Sequence, residues 1–204
     1  MSREHHGGSP LNFKAGETIL QPGRPASPRR IYRVVSGLVR ILRSDARGNL
    51  MVLRHVLPGS YFGEESLIGE DRDYHAEAVI ETRIQPIEVR KMDAVTTDEL
   101  AADLINAIGQ TYTYIQRISS QRLRNRLAAA LLELAQTPLA QRDSRGQVLI
   151  RITHDELAAV IGSVRETTTK AIRELAQDGL IEPGYARLRL LDLEGLKKLA
   201  GECA

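Results

Sequence analysis

The side chains best suited to chemistry lie in one run, THDELAAVIGSVRETTTKAIREL, residues 153–175. Arg165, Glu166 and Lys170 stand close together there, with Thr153, His154, Thr167, Thr168 and Thr169 around them. A guanidinium offers a fork of donors that fits the O6 and N7 acceptors of guanine. A carboxylate accepts from cytosine N4, and an ammonium donates to guanine or to a phosphate oxygen. Short hydroxyl side chains allow close approach to a sugar–phosphate backbone and donate to it, fixing register rather than sequence. Three consecutive threonines are otherwise poor helix material, because β-branched side chains lose rotamer freedom against the preceding turn.

The residues around this set define the elements that position it. Thr153-His154-Asp155-Glu156 fits a capping box, in which a hydroxyl and a glutamate three residues on satisfy free backbone donors at a helix start. The same pattern recurs at Ser163-Val164-Arg165-Glu166 and predicts a second capped start. Between them Leu157, Ala158, Val160 and Ile161 supply an apolar face, and Gly162 permits a tight turn. A capped helix, a glycine turn and a second capped helix make a helix-turn-helix pattern, whose second helix can enter a DNA major groove. Helical spacing places Val164, Thr168, Ile172 and Leu175 inward and Arg165, Glu166, Thr169, Lys170 and Arg173 outward. A strand-like VLIRI precedes the pair, and GLIEPGYARLRLLDLEGLKKLA follows it as a two-stranded wing, turning near Pro183-Gly184, and a last helix. Residues 136–204 are therefore expected to form a winged helix.

Two other regions come before it. From about Phe13 to Ile87 the chain alternates short β-rich runs (ETIL, RIYRVV, GLVRIL, LMVLRHV, YHAEAVI, TRIQPI) with glycine and proline turn signals, which predicts a sandwich, jelly roll or small barrel over residues 1–96. Residues 97–135 lack proline and read as one long helix. Its first stripe joins Leu104, Ile108, Thr111, Tyr112, Ile115, Ile118 and Ser119. A second, of Leu123, Leu127, Ala130, Leu131 and Leu134, is rotated by roughly a quarter turn. A dimer seam of Leu104, Ile108, Tyr112, Ile115 and Ile118 accounts for the first stripe, and packing against the chain's own β-domain is the alternative. The stretch TPLAQRDSRGQ that follows reads as a domain joint.

At this level the chain resembles the cyclic-AMP receptor/FNR superfamily of bacterial transcription regulators, from about Leu11 to Leu193. THDELAAVIGSVRETTTKAIREL is similar to that family's DNA-binding signature, and PGSYFGEESLIGE to the segment entering its ligand pocket. The resemblance implies an α+β fold: an amino-terminal β-roll, a long dimerisation helix and a carboxyl-terminal winged helix-turn-helix. It places Arg165, Glu166 and Lys170 at base-reading positions, implying a half-site like TGTGA, and Thr153, His154, Thr167 and Thr169 on the DNA backbone. Homodimerisation, double-stranded DNA and RNA polymerase as partners, and a role as activator follow from the same likeness.

The effector pocket departs from the family pattern. Gly63, Glu64, Arg72 and Thr111 match it, but Asp73 stands where a serine would bind phosphate and Tyr112 replaces the second helix residue. A carboxylate beside a phosphate substitutes repulsion for a donor. The chain is therefore expected to work without cyclic AMP or any cofactor, Arg72 forming an ion pair with Asp71, Asp73 or Glu64. A regulator gated by another small ligand remains an alternative.

Composition agrees with a regulator. The net charge is +2, but residues 1–108 hold 14 Lys/Arg against 15 Asp/Glu, while residues 109–204 hold 14 against 11. The excess of positive charge is thus in the half that would meet an anionic polymer. No run of about 18 apolar residues predicts a membrane span, and no apolar leader follows the start, so a cytoplasmic location is expected. Cys203 is the only cysteine, which excludes an internal disulfide and a cysteine cage for metal. A metal enzyme of the cupin kind would need converging histidines, whereas His55 and His75 are isolated and His5 and His6 sit in a polar tail. Glu64-Glu65 lacks partners for acid–base work, and no G-x-S-x-G or Walker motif occurs, so neither catalysis nor a bound metal is expected.

Overall fold

The computed structural model describes residues 8–45 and 48–201; Cys203, His5 and His6 lie outside them. The chain packs as two units, one of residues up to Ser44 with Leu53–Thr111, the other of Asp45–Val52 with residues from Tyr112 onward.

The first unit is built from antiparallel strands β1 (Leu11–Phe13), β2 (Thr18–Leu20), β3 (Arg30–Ser36), β4 (Val39–Ser44), β5 (Leu50–Val56), β6 (Tyr61–Phe62), β7 (His75–Ala78) and β8 (Thr82–Glu88). They form two sheets, ordered β1-β8-β3-β6 and β2-β7-β4-β5. Inward residues of both sheets, Leu20, Val34, Val39, Ile41, Val56, Phe62, Ala76 and Ile84, make one core, and Tyr32 stacks on Phe62 at 5.3 Å between ring centroids. Gly37 turns β3 into β4 with φ of 91°, and a Cβ there would collide with Thr82 Oγ1. The buried Thr82 hydroxyl accepts from Leu38 N at 3.1 Å and faces the carbonyl of Ile80 at 2.8 Å.

The expected single helix over 97–135 is instead two. α1 runs Ala94–Ser120 and α2 runs Leu123–Leu134, with Arg122 extended between them at φ −65°, ψ 152°. The break falls where the apolar stripe changes direction, so each helix carries one straight apolar face. Ser119 and Ser120 donate their hydroxyls back to Ile115 O and Gln116 O at 2.9 and 2.7 Å, an arrangement that bends helix ends. Leu100 is buried against Ile31, Tyr61 and Ile87 with Leu104 beside it, so Leu104 belongs to the β-unit's packing rather than to the exposed stripe. Ile105, Ile108, Tyr112, Ile115 and Ile118 are exposed, Ile105 at 70% and Tyr112 at 69%.

In the second unit, β9 (Ala140–Arg142) lies within the stretch read as a domain joint and forms a hairpin with β10 (Val148–Ile150), which covers the expected strand; the turn is held by Asp143 Oδ1 accepting from Arg145 N and Gln147 N at 2.9 and 3.0 Å. Next come α3 (His154–Ile161), α4 (Arg165–Gln177), β11 (Ile181–Gly184), β12 (Arg187–Leu190) and α5 (Leu193–Ala200). The sheet order is β11-β12-β10-β9. α2 packs against α3, α4 and α5, burying Leu127, Leu131 and Leu134 with Leu157, Ile172 and Leu196. The wing turns at Tyr185-Ala186, two residues beyond the expected Pro183-Gly184, and Ala186 takes φ of 49°.

His55 on β5 carries a pH consequence. Burial, with the Arg40 guanidinium nearby, pushes its imidazole from 6.5 down to about 4. Because the folded state prefers the neutral ring, its contribution is fully present above about pH 6.5 and is lost as pH falls toward 4. Thermal melts across that window should show a falling Tm that flattens in His55→Gln.

Candidate nucleic-acid interface

Helix α3 starts with the expected capping box: Glu156 N donates to Thr153 Oγ1 at 3.2 Å and Thr153 N to Glu156 Oε2 at 2.9 Å. Thr153 Oγ1 also donates to Glu156 Oε2 at 2.9 Å, so its hydroxyl proton is already engaged. The second box does not form. Val164, not Ser163, is the residue before α4, it makes no side-chain cap, and it is 50% exposed rather than inward. A valine has no oxygen with which to cap, and the glycine turn is closed by backbone bonds from Gly162 N and Ser163 N to Ala158 O. Gly162 adopts φ of 63°, and a Cβ there would meet Tyr114 Oη at 2.9 Å, so this turn sits against the end of α1.

The three threonines have three different environments. Thr168 is fully buried and donates to Val164 O at 3.0 Å. Thr169 is half-buried rather than outward, its hydroxyl 2.9 Å from His154 Nδ1, which ties the starts of α3 and α4 together. Thr167 alone is exposed beside Arg165, Glu166 and Lys170, and Arg173 is exposed one turn on. Thr168, Ala171, Ile172 and Leu175 form the buried face opposite these groups. Arg165, Glu166 and Lys170 thus share one helix surface, with Thr153, His154 and Thr169 alongside through the His154–Thr169 contact.

Sequence inspection passed over two features of this surface. Asp155 Oδ2 accepts from Arg165 Nη1 at 3.0 Å, a pair ten residues apart that no helical spacing rule marks. The wing tip is joined to the start of α3 by Ile152 N donating to Ala186 O at 3.1 Å, and Tyr185 beside it is almost wholly exposed. Residues flanking a turn of unknown register carry no such signal.

The β-roll residues singled out for an effector are held by internal pairs. Gly63 has φ of 86° and precedes a short 3-10 turn, Glu64–Leu67, which points adjacent glutamates in different directions. Glu64 pairs with Arg54, which also donates to Tyr61 O at 3.2 Å. Arg72, buried, pairs with Glu65 and not with Asp71, Asp73 or Glu64; its Nε donates to Glu65 Oε1 at 2.5 Å and its guanidinium lies over Tyr74 at 5.8 Å. Tyr74 Oη donates to Glu65 Oε2 at 2.7 Å, and burial with this bond raises the phenol well above its usual range. Asp73 pairs with Arg43 at 2.8 Å near the surface. Thr111 donates to Ala107 O at 2.8 Å, and Tyr112 is exposed. Among the described residues no group of three or more His, Cys, Asp or Glu is placed to hold a metal. No described helix is long and apolar enough to cross a membrane.

The comparisons with known proteins follow the same division. Residues 10–97 match the model of the cyclic nucleotide-binding domain and residues 125–199 that of the Crp-like helix-turn-helix domain. The chain is 50% identical over 190 residues to the transcriptional regulator SdrP of Thermus thermophilus, covering 93% of each chain. It is 40% identical over 189 residues to the transcriptional regulator LdrP of the same organism, covering 93% of this chain and 95% of that one. A crystal structure of a CRP/FNR-family regulator from Thermus thermophilus superposes with a TM-score of 0.90 at 50% identity, covering 95% of this chain and 98% of that one.

Removing the Glu65 charge should be costly, because it leaves the Arg72 guanidinium buried without a counter-ion. Glu65→Gln is expected to lose about 3 kcal/mol of stability in urea unfolding, and Asp73→Asn, at the surface, less than about 1 kcal/mol.

Proposed function

The chain belongs to the CRP/FNR family and is a DNA-binding transcriptional regulator, and from that premise we propose that it acts as a homodimeric activator that reads TGTGA-like half-sites without cyclic AMP. The observation that carries this is the surface of α4, where Arg165, Glu166 and Lys170 are exposed together opposite a buried face. Arg165 forks onto a guanine, Glu166 accepts from a cytosine, and Lys170 donates to a guanine or a phosphate. Thr167 and the His154–Thr169 pair would contact backbone phosphates under this reading. Under this proposal the division of labour is 1–96 for the sensor-like β-roll, 97–135 for the seam and 136–204 for DNA.

Dimerisation is supported by α1. Ile105, Ile108, Tyr112 and Ile115 follow one another at spacings of three, four and three residues, and all are exposed in the single chain. That is the spacing of a helix-to-helix seam. Ile105 takes the place given to Leu104 by the sequence pattern. Two copies would then present two α4 helices to successive major grooves, about 34 Å apart on a pseudo-palindrome.

Independence from cyclic AMP is supported by the closed Arg72–Glu65–Tyr74 cluster. A phosphate entering there would have to displace a carboxylate already bonded to the buried guanidinium. Contact with RNA polymerase, and activation rather than repression, extend the family relationship.

Fluorescence anisotropy with a pseudo-palindromic TGTGA duplex and no added nucleotide tests the core of this. Salt-sensitive binding is expected without ligand; binding that appears only with cyclic AMP, or with another nucleotide, would replace it by the ligand-gated alternative. Arg165→Ala should cost about 1 to 3 kcal/mol and erase the preference at one guanine. Ile108→Asp with Ile115→Asp should convert the sedimentation profile from dimer to monomer. Reconstituted transcription should rise with the protein present, and a fall at every bound promoter would make it a repressor.

A further inference from the structure

Asp155 places a negative charge on the surface that would meet phosphates; it lies in the first turn of α3, where the helix dipole favours a carboxylate, but it takes no part in the cap. The cap of α3 is made by Thr153 and Glu156. Among the described residues the Asp155 carboxylate has one hydrogen-bond partner, Nη1 of Arg165 at 3.0 Å. Both side chains are open to solvent, 62% and 63% exposed, so the pair contributes little to the stability of the free protein. In a docked state, where water is removed, a charge-assisted bond between the two would strengthen.

We infer that Asp155 is a specificity-determining positioning residue that holds Arg165 for guanine and penalises docking on DNA of the wrong sequence. The inference rests on the proposal that Arg165 faces base edges. A guanidinium has five N–H donors, and one bond to Asp155 leaves enough for O6 and N7 of a guanine. On a matching site Arg165 satisfies both partners at once. On a wrong base it has no acceptor pair in reach and must turn to a phosphate, which strands the Asp155 carboxylate among like charges. Selectivity then comes from a repulsive element exposed only in the wrong complex. Glu166, one residue on, does not substitute for it, since Arg165 pairs with Asp155 and leaves the exposed Glu166 carboxylate to its own base.

The test uses the full chain and three duplexes: matched, changed at the single guanine read by Arg165, and unrelated, each titrated at several salt concentrations. Asp155→Asn keeps the shape and removes the charge. It should tighten binding to the unrelated and changed duplexes about 3- to 10-fold, leave the matched duplex nearly unaltered, and so reduce discrimination by the same factor. Asp155→Glu should recover part of the discrimination. In an Arg165→Ala background Asp155→Asn should no longer alter the ratio. An equal gain on all three duplexes would make Asp155 a general electrostatic brake and overturn the inference, as would an equal loss accompanied by a lower Tm. Wild-type protein that binds all three duplexes alike would instead overturn the base-reading function itself, and the inference with it.

Discussion

The rotation of α4 about its own axis is fixed by what it buries. Thr168, Ala171, Ile172 and Leu175 go inward against α2 and α3, and a helix with one face committed has no freedom over the other. Thr168 is the most telling of the four, because a hydroxyl can be buried only if it is bonded, and Val164 O one turn back accepts its proton. A branched side chain of that size fills the contact, while the flanking Thr167 and Lys170 stay outside. The exposure of Arg165 and Glu166 is therefore a by-product of core packing rather than of any attraction at the surface.

The β-roll obeys a similar constraint with charges. A guanidinium as buried as Arg72 must have an anion, and in this chain the anion is covalently part of the fold. Tyr74 Oη donates to the other oxygen of Glu65, so both carboxylate oxygens are bonded within the fold. The neighbouring Arg54–Glu64 pair repeats the pattern on the adjacent residue of the same 3-10 turn. In a β-roll that matches the cyclic nucleotide-binding domain, two successive carboxylates thus supply the counter-charges of two guanidinium groups.

Much of this was legible from local pattern. The capping box at Thr153, the glycine turn, the apolar face of α4 apart from Val164, the β-rich first half and the change of stripe in the middle are short-range signals, and the structure follows them. What sequence alone missed depends on tertiary geometry. The stripe shift was visible, but that the helix would break at Gln121-Arg122, rather than twist, depends on which partners each half packs against. Leu104 and Ile105 are adjacent in the chain, and only the position of the β-unit decides that the first is covered and the second is not. Ser163 fits a cap by type, yet the chain reaches helical conformation one residue later. Arg72 with Glu65, Arg165 with Asp155 and Thr169 with His154 are pairings of side chains from different elements, which no periodicity encodes.

The last described helix carries a consequence for how the molecule is made. α5 is laid against α2, with Leu196 wholly inside and Ala200 O receiving a bond from Gln121 Nε2 at 3.1 Å. The centre of the carboxyl unit therefore stays open to water until residues through Ala200 have left the ribosome exit tunnel. Shortening the chain into α5 would therefore remove a wall of the core against which α2 packs, rather than a dispensable tail.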